Sequence, residues 1–130
     1  MSTEENKALA RRCIKAINEK DLATIDEIMV PEEASQWKKE SLAWLYGTFG
    51  DHCMEVTDMI AEGDKVWVWL ATSGGHTGEW LGVPPTGKNW KNSGFYLMRI
   101  VNGKISLYSL LFDNLNLLQQ LGATIEPPKS

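Results

Sequence analysis

Residues 89–112, NWKNSGFYLMRIVNGKISLYSLLF, are two long apolar runs joined at Asn102-Gly103. Asn-Gly between β-prone segments is a strong hairpin signal, because a two-residue turn needs positive φ at both positions and these residues adopt it at least cost. Asn89–Ile100 and Lys104–Phe112 are therefore predicted to be paired antiparallel strands. Upstream, Met54–Ile60 alternates, and Glu62-Gly63-Asp64 turns the chain into another strand, Lys65–Ser73. Gly74-Gly75 interrupts that strand, and Pro84-Pro85-Thr86-Gly87 makes the turn leading back to residue 89.

Before residue 54 the apolar period is helical. Ser2 or Thr3 caps a first helix, Glu4 and Glu5 suit its positive end, and Leu9, Cys13, Ile14 and Ile17 form its stripe. Asp21 caps a second helix through Leu22, Ile25 and Ile28, stopped before Pro31. A third spans about Gln36 to Thr48, with Leu42, Leu45, Tyr46 and Phe49 on one side. Asp113 caps a last short helix, Leu115–Leu121, which Gly122 ends. Helices first, then antiparallel strands, make an α+β fold with the helices on one sheet face.

The totals narrow the function classes. A chain of 130 residues with 43% hydrophobic and 23% charged residues is expected to form one globular domain, residues 1–130. A net charge of −4 offers no basic surface for nucleic acid. No apolar run approaches the ~20 residues of a membrane span, and MSTEENK has no signal-peptide core, so no membrane partner is expected. Cys13 and Cys53 lie in unlike contexts, which predicts no disulfide framework and a reducing, cytoplasmic setting. No cluster has metal-ligand spacing and no glycine-rich strand-to-helix loop suggests a nucleotide, so neither metal nor cofactor is expected. Six tryptophans imply much aromatic surface in a core, a pocket or an interface.

The segment GGHTGEWLGVPPTGK at 74–88, the strand ending in Arg99, the turn NGK and then FDNLNLLQQLG together resemble SnoaL-like polyketide cyclases. The opening ALARRCIKAINEKDLATIDEIM resembles that family's first two helices. The resemblance implies the cone-shaped fold shared with nuclear transport factor 2 and ketosteroid isomerase: a curved antiparallel sheet with three N-terminal helices on its concave face. It also implies a deep pocket and, commonly, a homodimer. The fold hosts cyclases, isomerases, hydrolases, dehydratases and binding modules, so fold alone does not name the activity.

Side-chain parity assigns the pocket, and the hairpin loop sets parity. A two-residue loop pairs Leu97 with Tyr108. A three-residue loop, Val101-Asn102-Gly103, pairs Tyr96 with Tyr108 and Gly94 with Leu110. The longer loop is preferred because it leaves Arg99 outside, where similar proteins keep it. The concave set is then Asn92, Gly94, Tyr96 and Met98 facing Ser106, Tyr108, Leu110 and Phe112, with Leu70, Thr72 and His76 from the neighbouring strand. Trp67 and Trp69 fall on the outer face, where either a second subunit or a monomer's own secondary packing layer would cover them.

His76 is a candidate acid/base, set against a histidine that only ties down its turn. Asp113 is a second candidate acid, set against a helix cap. His52 is expected in solvent. Cys13 is a candidate nucleophile, set against an inert buried thiol. The resemblance adds a departure. Related sequences carry histidine, tryptophan and aspartate near the end of the last strand, and Tyr108-Ser109-Leu110 corresponds here, so the acid's position is Leu110. The expected site is thus apolar: Phe49, Leu70, Met98, Leu110 and Phe112, with Tyr46, Tyr96, Tyr108 and Asn92 offering polar atoms to a steroid-like or polyketide-like ligand. A pocket altered in this way is also what redesign of a family scaffold would leave. The rival functions are a cyclase or isomerase using His76 or Asp113, and a protein-interaction module without a ligand-sized cavity.

Overall fold

The computed structural model describes residues 2–128. Helix α1 (Thr3–Glu19) opens with a reciprocal capping box: the Glu5 amide donates to Ser2 Oγ and the Ser2 amide to Glu5 Oε1, both at 3.1 Å. Its apolar stripe buries Ala10, Cys13, Ile14 and Ile17. Asp21 caps α2 (Leu22–Ile28) as expected, accepting from the Thr24 amide at 3.1 Å.

The third helix begins at Pro31, earlier than its sequence pattern indicated. Pro31 both stops α2 and starts α3 (Pro31–Trp37), since proline lacks only an amide that the first helical turn leaves unbonded anyway. The intervening Val30 amide instead bonds Ile105 O at 2.9 Å, tying the helices to the sheet. A π-helical segment, Lys38–Leu42, then leads into α4 (Ala43–Thr48).

The strands β1 (Cys53–Glu62), β2 (Lys65–Gly75), β3 (Asn89–Val101) and β4 (Lys104–Phe112) form a curved, unclosed antiparallel sheet in the order β1-β2-β3-β4. The α+β expectation holds. Val66, Val68, Leu70, Tyr96 and Met98 face the helices and build the main core with the stripe of α1.

The hairpin corrects the sequence reading. Val101 pairs with Lys104, so the loop has two residues, and Asn102 (φ 50°) and Gly103 (φ 76°) both take the left-handed conformation that such a turn requires. Arg99 pairs with Ser106 and Met98 with Leu107; a bulge then shifts the register so that Leu97 meets Ser109, Tyr96 meets Leu110 and Gly94 meets Phe112. Neither Tyr96 with Tyr108 nor Gly94 with Leu110 is paired. The bulge restores the parity that the shorter loop removes, so Leu110 and Phe112 still share a face with Tyr96. Arg99 does lie outside, in an exposed ion pair with Asp64 at 2.8 Å.

Helix α5 (Asn114–Gln120) follows Asp113, which caps it by accepting from the Asn116 amide at 3.1 Å. It covers the part of β3 that β4 does not reach. The Gln120 side chain behaves like a short strand there, accepting from Lys91 N at 3.1 Å and donating to Lys91 O at 2.6 Å.

Candidate functional site

A cavity of about 490 Å³ opens between the concave sheet, the segment from Trp37 to Phe49, and the start of α5. Its walls are indoles and phenyl rings. Trp37 and Trp44 come from the helical side, Trp80 from the 76–88 loop, and Trp90 and Phe112 from the sheet. Phe49 organises one end, with edge-to-face contacts to Trp44 at 5.7 Å, Trp80 at 5.5 Å and Trp90 at 5.0 Å between ring centroids. The indole N–H of Trp90 donates to Gly75 O at 3.0 Å, which fixes that ring.

The 76–88 loop holds this aromatic end in place. Thr77 N donates to Thr48 O at 2.9 Å, Thr77 Oγ1 donates to Gly47 O at 3.0 Å, and Gly75 N donates to Gly50 O at 2.7 Å, docking the loop on the end of α4. Gly78 is required at this junction, since a Cβ there would lie 2.9 Å from Gly47 O.

Few polar atoms interrupt the walls. Thr72, Asn92 and Tyr96 contribute from the sheet, Ser41 and Glu40 from the π-helical segment, and His52 from the turn after α4. Tyr96 is buried, burial pushes its phenol well above the usual range, and its hydroxyl has no hydrogen-bond partner among the described residues. Among the described residues no group of three or more His, Cys, Asp or Glu side chains gathers.

The predicted site residues divide. Phe49, Asn92, Tyr96, Leu110 and Phe112 line the cavity, Leu110 half-exposed at its mouth. Leu70 and Met98 are fully buried in the core beneath it. Tyr46 turns away: its hydroxyl donates to Ile17 O at 2.8 Å, and Lys20 sits over its ring at 5.0 Å. The Tyr108 side chain lies outside the described residues.

His76 is fully buried and does not line the cavity. Its Nδ1 accepts from the Thr86 amide at 3.2 Å and lies 3.0 Å from Thr86 Oγ1, so the ring pins the proline-rich turn. An Nδ1 that accepts from a backbone N–H assigns the ring proton to Nε2, which has no partner among the described residues. Asp113 is exposed and spends its carboxylate on the cap of α5, while its neighbours Phe112 and Asn114 line the cavity. Cys13 is sealed in the core, where burial pushes its thiol up to about 12.

His52 corrects a second expectation. It is partly buried rather than solvated: its ring lies 5.8 Å from that of Trp90 in the cavity wall, Nδ1 is shielded from solvent with no partner among the described residues, and burial lowers its pKa to about 4. The chain beyond α4 folds back beneath the 76–88 loop, a contact between distant segments that local sequence does not announce. Trp37, Trp44, Trp80 and Trp90 were also not assigned to the pocket by sequence. Their signal was the tryptophan count, since four of the six line this cavity.

Comparison with known proteins agrees with this architecture. The profile of the SnoaL-like polyketide cyclases matches residues 7–121. The chain belongs to that family. Nogalonic acid methyl ester cyclase of Streptomyces nogalater is 33% identical over 82 residues, which is 62% of this chain and 61% of that relative. The match therefore spans about three-fifths of that relative's length. Aklanonic acid methyl ester cyclase AcmA of Streptomyces galilaeus is 26% identical across 91% of each chain. Among solved structures, AclR from Streptomyces galilaeus, described there as a candidate hydroxylase, superposes with a TM-score of 0.83 at 28% identity, covering 98% of this chain and 91% of AclR. Against the family pattern, Leu110 places an isobutyl group, facing Tyr96, where the resemblance puts a carboxylate. The carboxylate that does line the cavity, among the described residues, is Glu40.

Proposed function

We propose that the chain binds an apolar, oxygen-bearing polycyclic molecule of polyketide type in the tryptophan-walled cavity and closes a ring on it by cofactor-independent, aldol-type acid/base chemistry. One observation carries this: a cavity of ligand size, walled by four tryptophans, into which Tyr96 brings a hydroxyl that no described residue bonds. Flat indole faces suit a planar fused-ring ligand. Tyr96, Thr72 and Asn92 offer hydrogen bonds to its carbonyl oxygens, and a phenol held neutral by burial is suited to stabilise a developing enolate. The names of the family relatives support ring closure as the reaction.

A homodimer through the outer sheet face is part of the proposal. Trp67 and Trp69 are 43% and 50% exposed and pack around Phe95, with exposed Leu111 beside them, a contiguous apolar patch that a second subunit would cover. A reducing, cytoplasmic setting suits the two free cysteines.

The test is a panel of enolisable polycyclic ketones that carry a second carbonyl within ring-closing reach. Saturable binding with ring closure above the buffer rate supports the proposal. Binding without turnover leaves a binding module, and no binding removes the proposal.

A further inference from the structure

Acid/base ring closure needs a group that takes a proton from carbon and returns it to oxygen. The sequence candidates do not supply one at the cavity surface: His76 is engaged by Thr86, and Asp113 by the first turn of α5. Cys13 does not line the cavity, and Tyr96 resists ionisation. His52 is different in kind. It lines the cavity, and neither ring nitrogen is bonded among the described residues. The turn that carries it is held two residues earlier, where the Gly50 amide donates to Thr77 Oγ1 at 3.0 Å and Gly75 N donates to Gly50 O at 2.7 Å. Nδ1 is shielded from water, so the nitrogen that can meet a ligand is Nε2, which no described residue engages.

We infer that His52 is the proton-transferring catalytic residue of this cavity. The inference rests on the ring-closing function proposed above. The unprotonated imidazole nitrogen takes a proton from the carbon between or beside carbonyls, and the C–H electron pair moves onto the carbonyl oxygen as an enolate, which accepts a hydrogen bond from Tyr96. The enolate carbon then bonds to the second carbonyl carbon. The resulting alkoxide takes the proton back from the imidazolium, so nothing is oxidised and no co-reactant is consumed. Glu40 and Tyr96 are the titratable groups that share the cavity with His52, and Asp51 and Cys53 flank it in the chain. None of them causes its shift; burial alone lowers its pKa to about 4, which keeps the ring neutral at pH 7 and makes it a weaker base than a free imidazole.

The experiment follows deuterium wash-in at the enolisable positions of 2-tetralone by proton NMR, together with ring closure of the ketone panel, for the wild type and His52→Gln. The wild type should exceed the buffer rate, with activity falling as pH drops through about 4 because the base must be neutral. His52→Gln should lose at least about 100-fold in both reactions, bind 2-tetralone within about threefold of wild type, and lose the acid limb. Wild-type turnover that His52→Gln retains overturns the inference and leaves the proposed function standing. Absence of wild-type turnover in both reactions overturns both. If His52→Gln does not fold, the wild type decides: its ring nitrogens, observed with ¹⁵N-histidine, must shift on adding 2-tetralone, and no shift of His52 while the tryptophan resonances respond overturns the inference.

Discussion

Replacing Gly94 by alanine tests how the sheet shapes the cavity. A Cβ at residue 94 would lie 2.2 Å from Phe112 Cδ1, 2.7 Å from Cε1 and 2.5 Å from the carbonyl oxygen of Leu111. The ring alone cannot solve this by rotating, because the carbonyl belongs to the paired strand. Either β4 moves away from β3 where Gly94 pairs with Phe112, or Phe112 leaves its edge-to-face contact with Tyr96 at 5.8 Å. Overpacking of this kind costs about 1–3 kcal/mol, and the entropy removed from the unfolded chain returns about 0.4–1 kcal/mol. Because the clash includes a backbone carbonyl, the upper part of that range applies, and the net loss is about 1–2.5 kcal/mol, a fall in Tm of about 4–9 °C for a domain of this size. Urea titration and thermal melts should show that loss, and ligand affinity should fall with it because Phe112 is a cavity wall. Comparison with Phe112→Ala and the double variant separates the ring from the carbonyl: a coupling of 0.5 kcal/mol or more assigns part of the clash to the ring. A Gly94→Ala protein as stable as wild type, with unchanged ligand binding, would refute the packing described for β3 and β4.

Four further outcomes follow from the same geometry. His52 has its pKa lowered from 6.5 to about 4, so below pH 6.5 the unfolded chain binds the extra proton first; stability should fall by roughly 2–3 kcal/mol between pH 6.5 and 4, and His52→Gln should remove that slope in denaturant titrations. Tyr96→Phe deletes a hydroxyl with no protein partner among the described residues, so the melt should move little while affinity for a carbonyl-bearing ligand drops about three- to tenfold in a fluorescence titration. Thiol titration of the native protein should find Cys53 reacting at once and Cys13 only on unfolding, since Cys13 is fully buried and its thiol is raised to about 12. Trp67→Arg on the outer face should convert the proposed dimer to a monomer by sedimentation, without changing the cavity; an unchanged mass would remove the dimer.

The fold was legible because its signals are local. The capping box at Ser2 and Glu5, the cap at Asp21 and the Asn102-Gly103 turn each fix a backbone conformation through neighbours a few residues away. The β3–β4 bulge was not legible. Both strands are apolar on both faces, so burial neither penalises a one-residue slip nor distinguishes a two-residue from a three-residue loop. The opposite shift at the bulge brought Leu110 and Phe112 back to the cavity side, so the lining was partly right for an incomplete reason. His52 and the four cavity tryptophans come together only because the 76–88 loop docks on the end of α4. That contact joins residues about thirty positions apart, through backbone groups that any sequence possesses and the side-chain hydroxyl of Thr77.

The cavity itself is tested most directly by titrating the protein with a hydroxyanthraquinone, a planar fused-ring molecule bearing oxygen, and following tryptophan emission. Four of the six tryptophans wall the cavity, so one ligand per chain should quench most of the emission along a saturable curve. Leu110→Arg, which places a charge at the mouth, should weaken that binding at least tenfold. Quenching that is linear, unsaturable and indifferent to Leu110→Arg would contradict the account.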